Sequence, residues 1–219
     1  MCYILNMGSP LHILLNTTPE QAFRLESLQV AFAEVCNAVA PVVQKTRCWN
    51  RVALHHLTYH DLRQRFPLVG SQMVCNAIYS VSRTCRLILQ HPSSPFNVAS
   101  HPDRRLPLLQ FLPNAPVYFD RHTLSLKGGL LSMYTLDGRM RFQLTLKSDD
   151  ERRFHREKLR EIVLARTLQG YQLSFWLAMP EEDQEQTASR ETEMPEYVVV
   201  HLADGEEAPT IQQTAAAMS

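Results

Sequence analysis

Leu131-Ser132-Met133-Tyr134-Thr135-Leu136, the dipeptide Asp137-Gly138, and Arg139-Met140-Arg141-Phe142-Gln143-Leu144 form the stretch that decides the fold. Apolar residues recur every second position on both sides of Asp-Gly, a short-range mark of a β-hairpin. One strand earlier, Thr123 to Lys127 alternates in the same way and Gly128-Gly129 turns the chain. Downstream, Ser148-Asp149-Asp150-Glu151 reads as a helix start, and a short basic helix runs to about Arg160. A second hairpin follows, from Glu161 to Arg166 and from Tyr171 to Met179, around Gln169-Gly170. Residues 181–196 are acidic and unpatterned, a linker, and Tyr197 to Leu202 is one more strand.

Upstream of residue 93 the apolar period lengthens from 2 to about 3.6. Ile13-Leu14-Leu15 predicts a short buried strand. Thr18, Pro19 and Gln21 then supply an N-cap, a first-turn proline and a capping-box partner. Phe23, Leu28, Val35 and Val39 continue a first helix, which Pro41 is expected to end or kink. Asn50 caps a second helix carrying Leu54, Leu57, Tyr59 and Leu62, stopped after about Arg65 by Pro67. Ser71 is expected to cap a third, with Val74, Ile78, Val81 and Cys85 on its apolar face. The loop from His91 to Pro95 closes this half.

The 219 residues suffice for a buried core. No apolar run approaches the about 18 residues of a membrane span, and residues 1–9 lack a secretory pattern, so a cytoplasmic location is expected. Five scattered cysteines without a Cys-x-x-Cys pair fit reduced, mostly buried thiols rather than disulfides or a thiolate zinc site.

The formal net charge of zero hides a division. Residues 1–92 carry eight Lys/Arg against four Asp/Glu, and residues 93–180 thirteen against eight. Residues 181–219 carry one against ten. A basic body with an acidic tail is the electrostatic footprint of a polyanion binder, although a solvated surface has the same balance.

Enzyme chemistry is not legible. There is no phosphate-binding glycine loop and no Gly-x-Ser-x-Gly elbow. His56 and His60 share a helix face beside His55 and Asp61, but Leu57 stands where a zincin needs glutamate, so no metal is expected. Asp149, Asp150 and Glu151 sit where acids offset a helix dipole. No cofactor is implied.

Arginines interleaved with aromatic rings say more, because guanidinium binds phosphate bidentately and stacks on bases. The candidate nucleic-acid contacts are Arg47, Trp49, Asn50 and Arg51 around the first helix junction, then Tyr59 and Arg63 on the second helix. Gln72, Asn76, Arg83 and Arg86 lie on the third. Arg139 and Arg141 alternate outward from Met140 and Phe142 and extend the set.

Together with Thr17-Thr18-Pro19-Glu20-Gln21 and Ala33-Glu34-Val35-Cys36-Asn37, the spaced residues Asn50, Leu54, His55, Tyr59, Leu62 and Arg63 carry a resemblance. Phe66-Pro67, Ser71-Gln72-Met73 and Ala77-Ile78 with Val81 continue it. In the β half, Leu124 to Gly128, Thr135 to Arg139 and Tyr171-Gln172-Leu173 follow in order. Over about residues 10–200 the chain resembles the N-terminal half of the transposon-associated TnpB proteins, RNA-guided nucleases related to type V CRISPR effectors. The resemblance implies an α+β fold: a β-barrel wedge domain interrupted by a helical recognition domain, gripping guide RNA and a short DNA motif. Tyr59 and Gln72 match the motif-reading helices, and a glutamine amide suits an adenine edge.

One departure is decisive for activity. The family's nuclease opens on an apolar strand carrying a catalytic aspartate, and in Val199-Val200-His201-Leu202-Ala203 a histidine stands there, with Asp204 three residues late. A two-metal nuclease needs several carboxylates. The expectation is therefore a non-enzymatic, nuclease-deficient, TnpB-like protein that binds guide or scaffold RNA and double-stranded DNA beside the target. It would serve as a subunit of an RNA-guided ribonucleoprotein with other protein subunits. The division expected is a first wedge strand over 1–16, helices over 17–92, wedge over 93–180, and an acidic linker and tail over 181–219. The alternative is an RNA-independent DNA-binding transcriptional regulator.

Overall fold

The computed structural model describes residues 11–100, 102–146, 148–178 and 194–202, in which helices and antiparallel sheets make an α+β fold. The acidic linker through residue 193 and Asp204 with the tail lie outside the described residues.

The first strand, β1 (Leu11–Leu14), leads directly into helix α1 (Pro19–Thr46). Thr18 Oγ1 accepts from the Gln21 amide, and the Gln21 side chain accepts from the Thr18 amide, the reciprocal cap expected from the sequence. Pro41 does not end the helix. Its ring faces solvent while Val39, Ala40 and Val43 are buried around it, so core packing holds the last turn despite the missing amide donor. The helix stops instead at Arg47, whose left-handed backbone (φ 52°) turns the chain away. Asn50 accepts from the Val52 and Ala53 amides and starts α2 (Arg51–Arg65). Helix α3 (Ser71–Leu89) has Gly70 at its cap with no side-chain bond, so Ser71 is its first residue and not its cap.

Two strands follow that no periodicity announces, β2 (Leu108–Phe111) and β3 (Val117–Phe119). Next come β4 (Leu124–Lys127), β5 (Leu130–Thr135) and β6 (Gly138–Gln143), then α4 (Ser148–Arg156). The hairpin strands β7 (Lys158–Thr167) and β8 (Gly170–Ala178) come after it, and β9 (Val198–His201) is the last. In the β5–β6 turn Gly138 alone takes positive φ (102°), immediately after Leu136 and Asp137. Glycine tolerates this backbone conformation, which L side chains rarely adopt, at no steric cost.

The strands form three sheets among the described residues, in the orders β1-β8-β7-β3, β2-β9 and β4-β5-β6, and none closes into a barrel. The barrel expected from the resemblance does not form among the described residues, where the sheets stay open. Across the four-stranded sheet the rows Val117–Leu164–Leu173–Ile13 and Phe119–Ile162–Phe175–Leu11 point to the core. The alternate row Tyr118–Val163–Ser174–His12 lies on the opposite face. Because β1 precedes the helices and β3, β7 and β8 follow them, the helices are an excursion within this sheet.

Helices and sheets share one continuous apolar cluster, from Leu25 and Phe32 through Ile78 and Val81 to Phe111, Leu131 and Phe175. Polar side chains on α1 fasten it to strand backbone. Asn37 bonds Phe111 twice, Nδ2 donating to its carbonyl (2.9 Å) and Oδ1 accepting from its amide (2.7 Å). Gln29 Nε2 donates to the Asn114 and Ala115 carbonyls, and Gln44 Nε2 to that of Leu106. These bonds satisfy strand groups that would otherwise be buried at a cost.

Gly129 makes a local test. Its φ is +72°, and an added Cβ would lie 2.9 Å from the Leu144 carbonyl oxygen, whereas Gly128 (φ +58°) has open space. Left-handed backbone costs a non-glycine residue about 1–2 kcal/mol. Gly129→Ala is expected to destabilise the protein by about 2 kcal/mol or more and Gly128→Ala by about 1, read as a difference in thermal midpoint between the two variants.

Candidate nucleic-acid interface

Helical spacing places Gln72, Cys75, Tyr79, Arg83 and Arg86 along one side of α3, where each is exposed or half-buried. This side meets the outer face of the four-stranded sheet. The Tyr79 hydroxyl donates to the Glu161 carboxylate on β7, and Arg83 Nε donates to the same Oε1 at 3.0 Å. The Tyr79 ring meets Tyr118 of β3 edge-on at 5.6 Å, and the Arg83 guanidinium lies 5.9 Å from the Tyr118 ring centre. Arg51, first residue of α2, lies over the Tyr79 ring, 5.2 Å from its centre. Burial, then the Glu161 charge, pushes the Tyr79 hydroxyl well above its usual range, so it remains a donor to Glu161.

Glu161 pairs across the hairpin with Trp176 of β8, which is 40% exposed. The half-exposed indole gives the seam an aromatic surface open to solvent. Along the next row, His12 Nδ1 and Ser174 Oγ share a 2.8 Å hydrogen bond.

The seam continues past the start of α3. Gln72 Nε2 donates to Asp120 Oδ2, while Asp120 Oδ1 accepts from the His122 and Thr123 amides at 3.0 and 2.9 Å. The His122 carbonyl accepts from Arg139 Nη2 on β6, and the Arg139 guanidinium lies 4.1 Å from the Tyr134 ring centre. One hydrogen-bonded path thus runs from Gln72 through the turn at 120–123 to the β4-β5-β6 sheet.

The candidate residues divide by what their side chains already do. Arg47 donates to the Arg104 (3.0 Å) and Pro102 (3.2 Å) carbonyls and so pins the loop that follows α3. Asn50 is committed to the cap of α2. Trp49 packs half-buried against the core, its carbonyl accepting the Ser82 hydroxyl at 2.6 Å. Tyr59 stacks on His55 with ring centres 4.6 Å apart, and Arg63 is bonded to the Val69 carbonyl across the α2–α3 loop. Asn76 is buried at 5% exposure. Arg83 has its charge offset by Glu161, so it orients the seam more than it attracts phosphate. Arg51, Arg86, Arg139 and Arg141 are exposed, and among the described residues no carboxylate forms an ion pair with them. The structure therefore joins Arg51, Gln72, Arg83, Arg86 and Arg139, and gives Arg47, Asn50 and Arg63 local structural bonds.

Sequence reasoning missed Tyr79, Tyr118, Asp120, Tyr134, Glu161 and Trp176. Tyr79 was within reach, four residues before Arg83 on the same helix side. Tyr134 and Trp176 were too, as outward neighbours of the buried Met133 and Phe175. Tyr118 lies in a three-residue strand with no alternation and Asp120 just after it, so neither carried a signal.

Among the described residues no three His, Cys, Asp or Glu side chains converge as metal ligands, and no helix is long and apolar enough to cross a membrane. At β9, His201 Nε2 shares a 2.6 Å hydrogen bond with Gln110 Oε1 of β2. No protein-family model matches the chain, and no match is found among curated proteins.

Proposed function

We propose that this chain is a nucleic-acid-binding protein of TnpB-like design without nuclease activity. It holds a guide or scaffold RNA and contacts a short DNA motif beside the target, as a subunit of an RNA-guided ribonucleoprotein. In this reading the three helices are the recognition unit inserted into a β wedge, base pairing supplies sequence specificity, and the protein supplies the grip.

The observation that supports it most is the seam where α3 crosses the four-stranded sheet. Arg51, Tyr79, Arg83, Arg86 and Trp176 there combine guanidinium charge with aromatic surface, the pairing that polynucleotides require. The non-enzymatic part rests on the family resemblance, which places His201 at the position of the nuclease aspartate.

The test is association with DNA before and after ribonuclease. RNA is expected to copurify, and its digestion to abolish retention of a DNA duplex. Retention indifferent to ribonuclease replaces this reading with the RNA-independent DNA-binding regulator, and absence of any nucleic-acid binding overturns both. Reversing Arg51 and Arg86 to glutamate is expected to weaken RNA binding at least tenfold. Two lost phosphate contacts should also reduce the salt-dependence slope by about 1.4.

A further inference from the structure

The outer face of the β4-β5-β6 sheet offers a second, differently built surface. The register fixes which residues share it: Ser125–Ser132–Arg141 in one row, Lys127–Leu130–Gln143 in the next, and Tyr134–Arg139 beyond. The opposite face is Leu124, Leu126, Leu131, Met133, Met140 and Phe142, all buried. An antiparallel sheet covered on one side commonly leaves the other to water. Here the open side is not merely solvated: Lys127, Arg139 and Arg141 are exposed cations, and no Asp or Glu lies on this face of the three strands.

Tyr134 is 43% exposed on the middle strand, in the row nearest the β5–β6 turn and next to that of Arg141. Arg139 lies over its ring and is itself held by two bonds to Ser132, to the carbonyl (3.3 Å) and to Oγ (3.2 Å), and by the His122 carbonyl. None of these partners is charged, so the guanidinium keeps its full positive charge while its orientation is fixed. Two acids at the ends of the sheet are engaged elsewhere. Asp137 in the β5–β6 turn binds Arg24 and Thr135, and Glu151 on α4 accepts from the Gly128 amide.

We propose that this sheet face is a stacking platform for a single-stranded segment of RNA, with a base on the Tyr134–Arg139 pair and flanking phosphates on Arg141 and Lys127. The proposal rests on the nucleic-acid-binding reading above and adds the strand state and the surface. Single-stranded nucleic acid is the occupant whose chemistry matches: cations for phosphate, and a half-exposed ring with a guanidinium over it for an unstacked base. Residues on one face of a strand repeat about every 7 Å and neighbouring strands lie about 4.8 Å apart. The sheet thus offers ring and cations at the separation of base and backbone. Paired bases in a duplex present edges, not faces, and gain nothing from the ring.

The experiment is fluorescence anisotropy with a fluorescein-labelled 20-nucleotide single-stranded RNA and the blunt duplex of the same sequence. The proteins are the full chain and its Tyr134→Ala, Tyr134→Phe and Arg141→Glu variants. Because both sites are exposed, melting curves of the variants should superimpose on the parent. The expected result is about tenfold weaker single-strand binding for Tyr134→Ala. Tyr134→Phe should bind within twofold of the parent, Arg141→Glu should weaken binding and flatten its salt dependence, and Tyr134→Ala should bind duplex as the parent does. Parent-like single-strand binding by Tyr134→Ala and Arg141→Glu overturns the platform and leaves the function proposal standing. Equal losses on single strand and duplex also overturn stacking, because only charge would then be at work. No RNA binding by the parent chain overturns the function proposal and the platform with it.

Discussion

Phe175→Ala is expected to lower the unfolding free energy by about 3–5 kcal/mol, the usual cost of emptying a fully buried aromatic site. Phe175 is completely buried on the inner face of β8, between Ile162 of β7 and Leu11 of β1. Its ring meets Phe154 of α4 edge-on at 5.5 Å, so the same side chain ties three strands to a helix. Strands on both sides hold the cavity walls apart, which keeps the site from collapsing and puts the cost towards the upper end. The measurement is the shift in urea midpoint. A loss below about 1 kcal/mol would mean that β8 is not the centre of the four-stranded sheet.

The second large effect is at Glu161, and it has two signs. Its Oε1 accepts from both Tyr79 and Arg83, whose side chain is 22% exposed against 16% for Glu161. Breaking a fully buried pair costs about 3–5 kcal/mol, and partial exposure lets water replace some of that. Glu161→Ala is expected to destabilise by about 2–3 kcal/mol, and Glu161→Gln, which keeps an acceptor oxygen, by about half as much. Yet removing the carboxylate takes one negative charge out of the seam between α3 and the sheet, beside Arg83. RNA affinity of folded Glu161→Gln should therefore rise, with a salt dependence steeper by about 0.7. A variant less stable and tighter-binding separates a charge-balanced interface from a purely structural ion pair, for which affinity would not move.

The elements legible in the sequence are those whose cause is local. The Thr18–Gln21 box, the Asn50 cap and the β5–β6 hairpin are each written within four residues; both caps stand where the pattern places them, and the hairpin turns one residue early, on Leu136-Asp137 with Gly138 already paired to Thr135. Pro41 misleads because a proline's penalty is local, whereas the burial of Val39, Ala40 and Val43 that overrides it comes from the rest of the chain. Strand β2 is illegible for the same reason, since Leu-Leu-Gln-Phe becomes a strand by pairing Gln110 with Val199. The candidate interface divides similarly. That Arg139 and Arg141 point outward follows from alternation, but a guanidinium's partner is chosen by the fold. Nothing near Arg63 or Arg47 in sequence says that one holds the Val69 carbonyl and the other the loop at 102–104.

The pairing of β1 with β8 joins residues as far apart as His12 and Ser174, 162 positions along the chain. At about 5–20 residues per second of synthesis, the first strand waits roughly 10–30 s for its neighbour to leave the ribosome. Helices α1 to α3 are complete long before then, so β1 is among the last of the described elements to be sheltered. Ile13 and Leu15, buried in the finished protein, spend that interval as bait for chaperones or for the same strand of a neighbouring nascent chain. Ribosomes closely spaced on one message would make this protein's yield depend on how slowly its first residues find the wrong company.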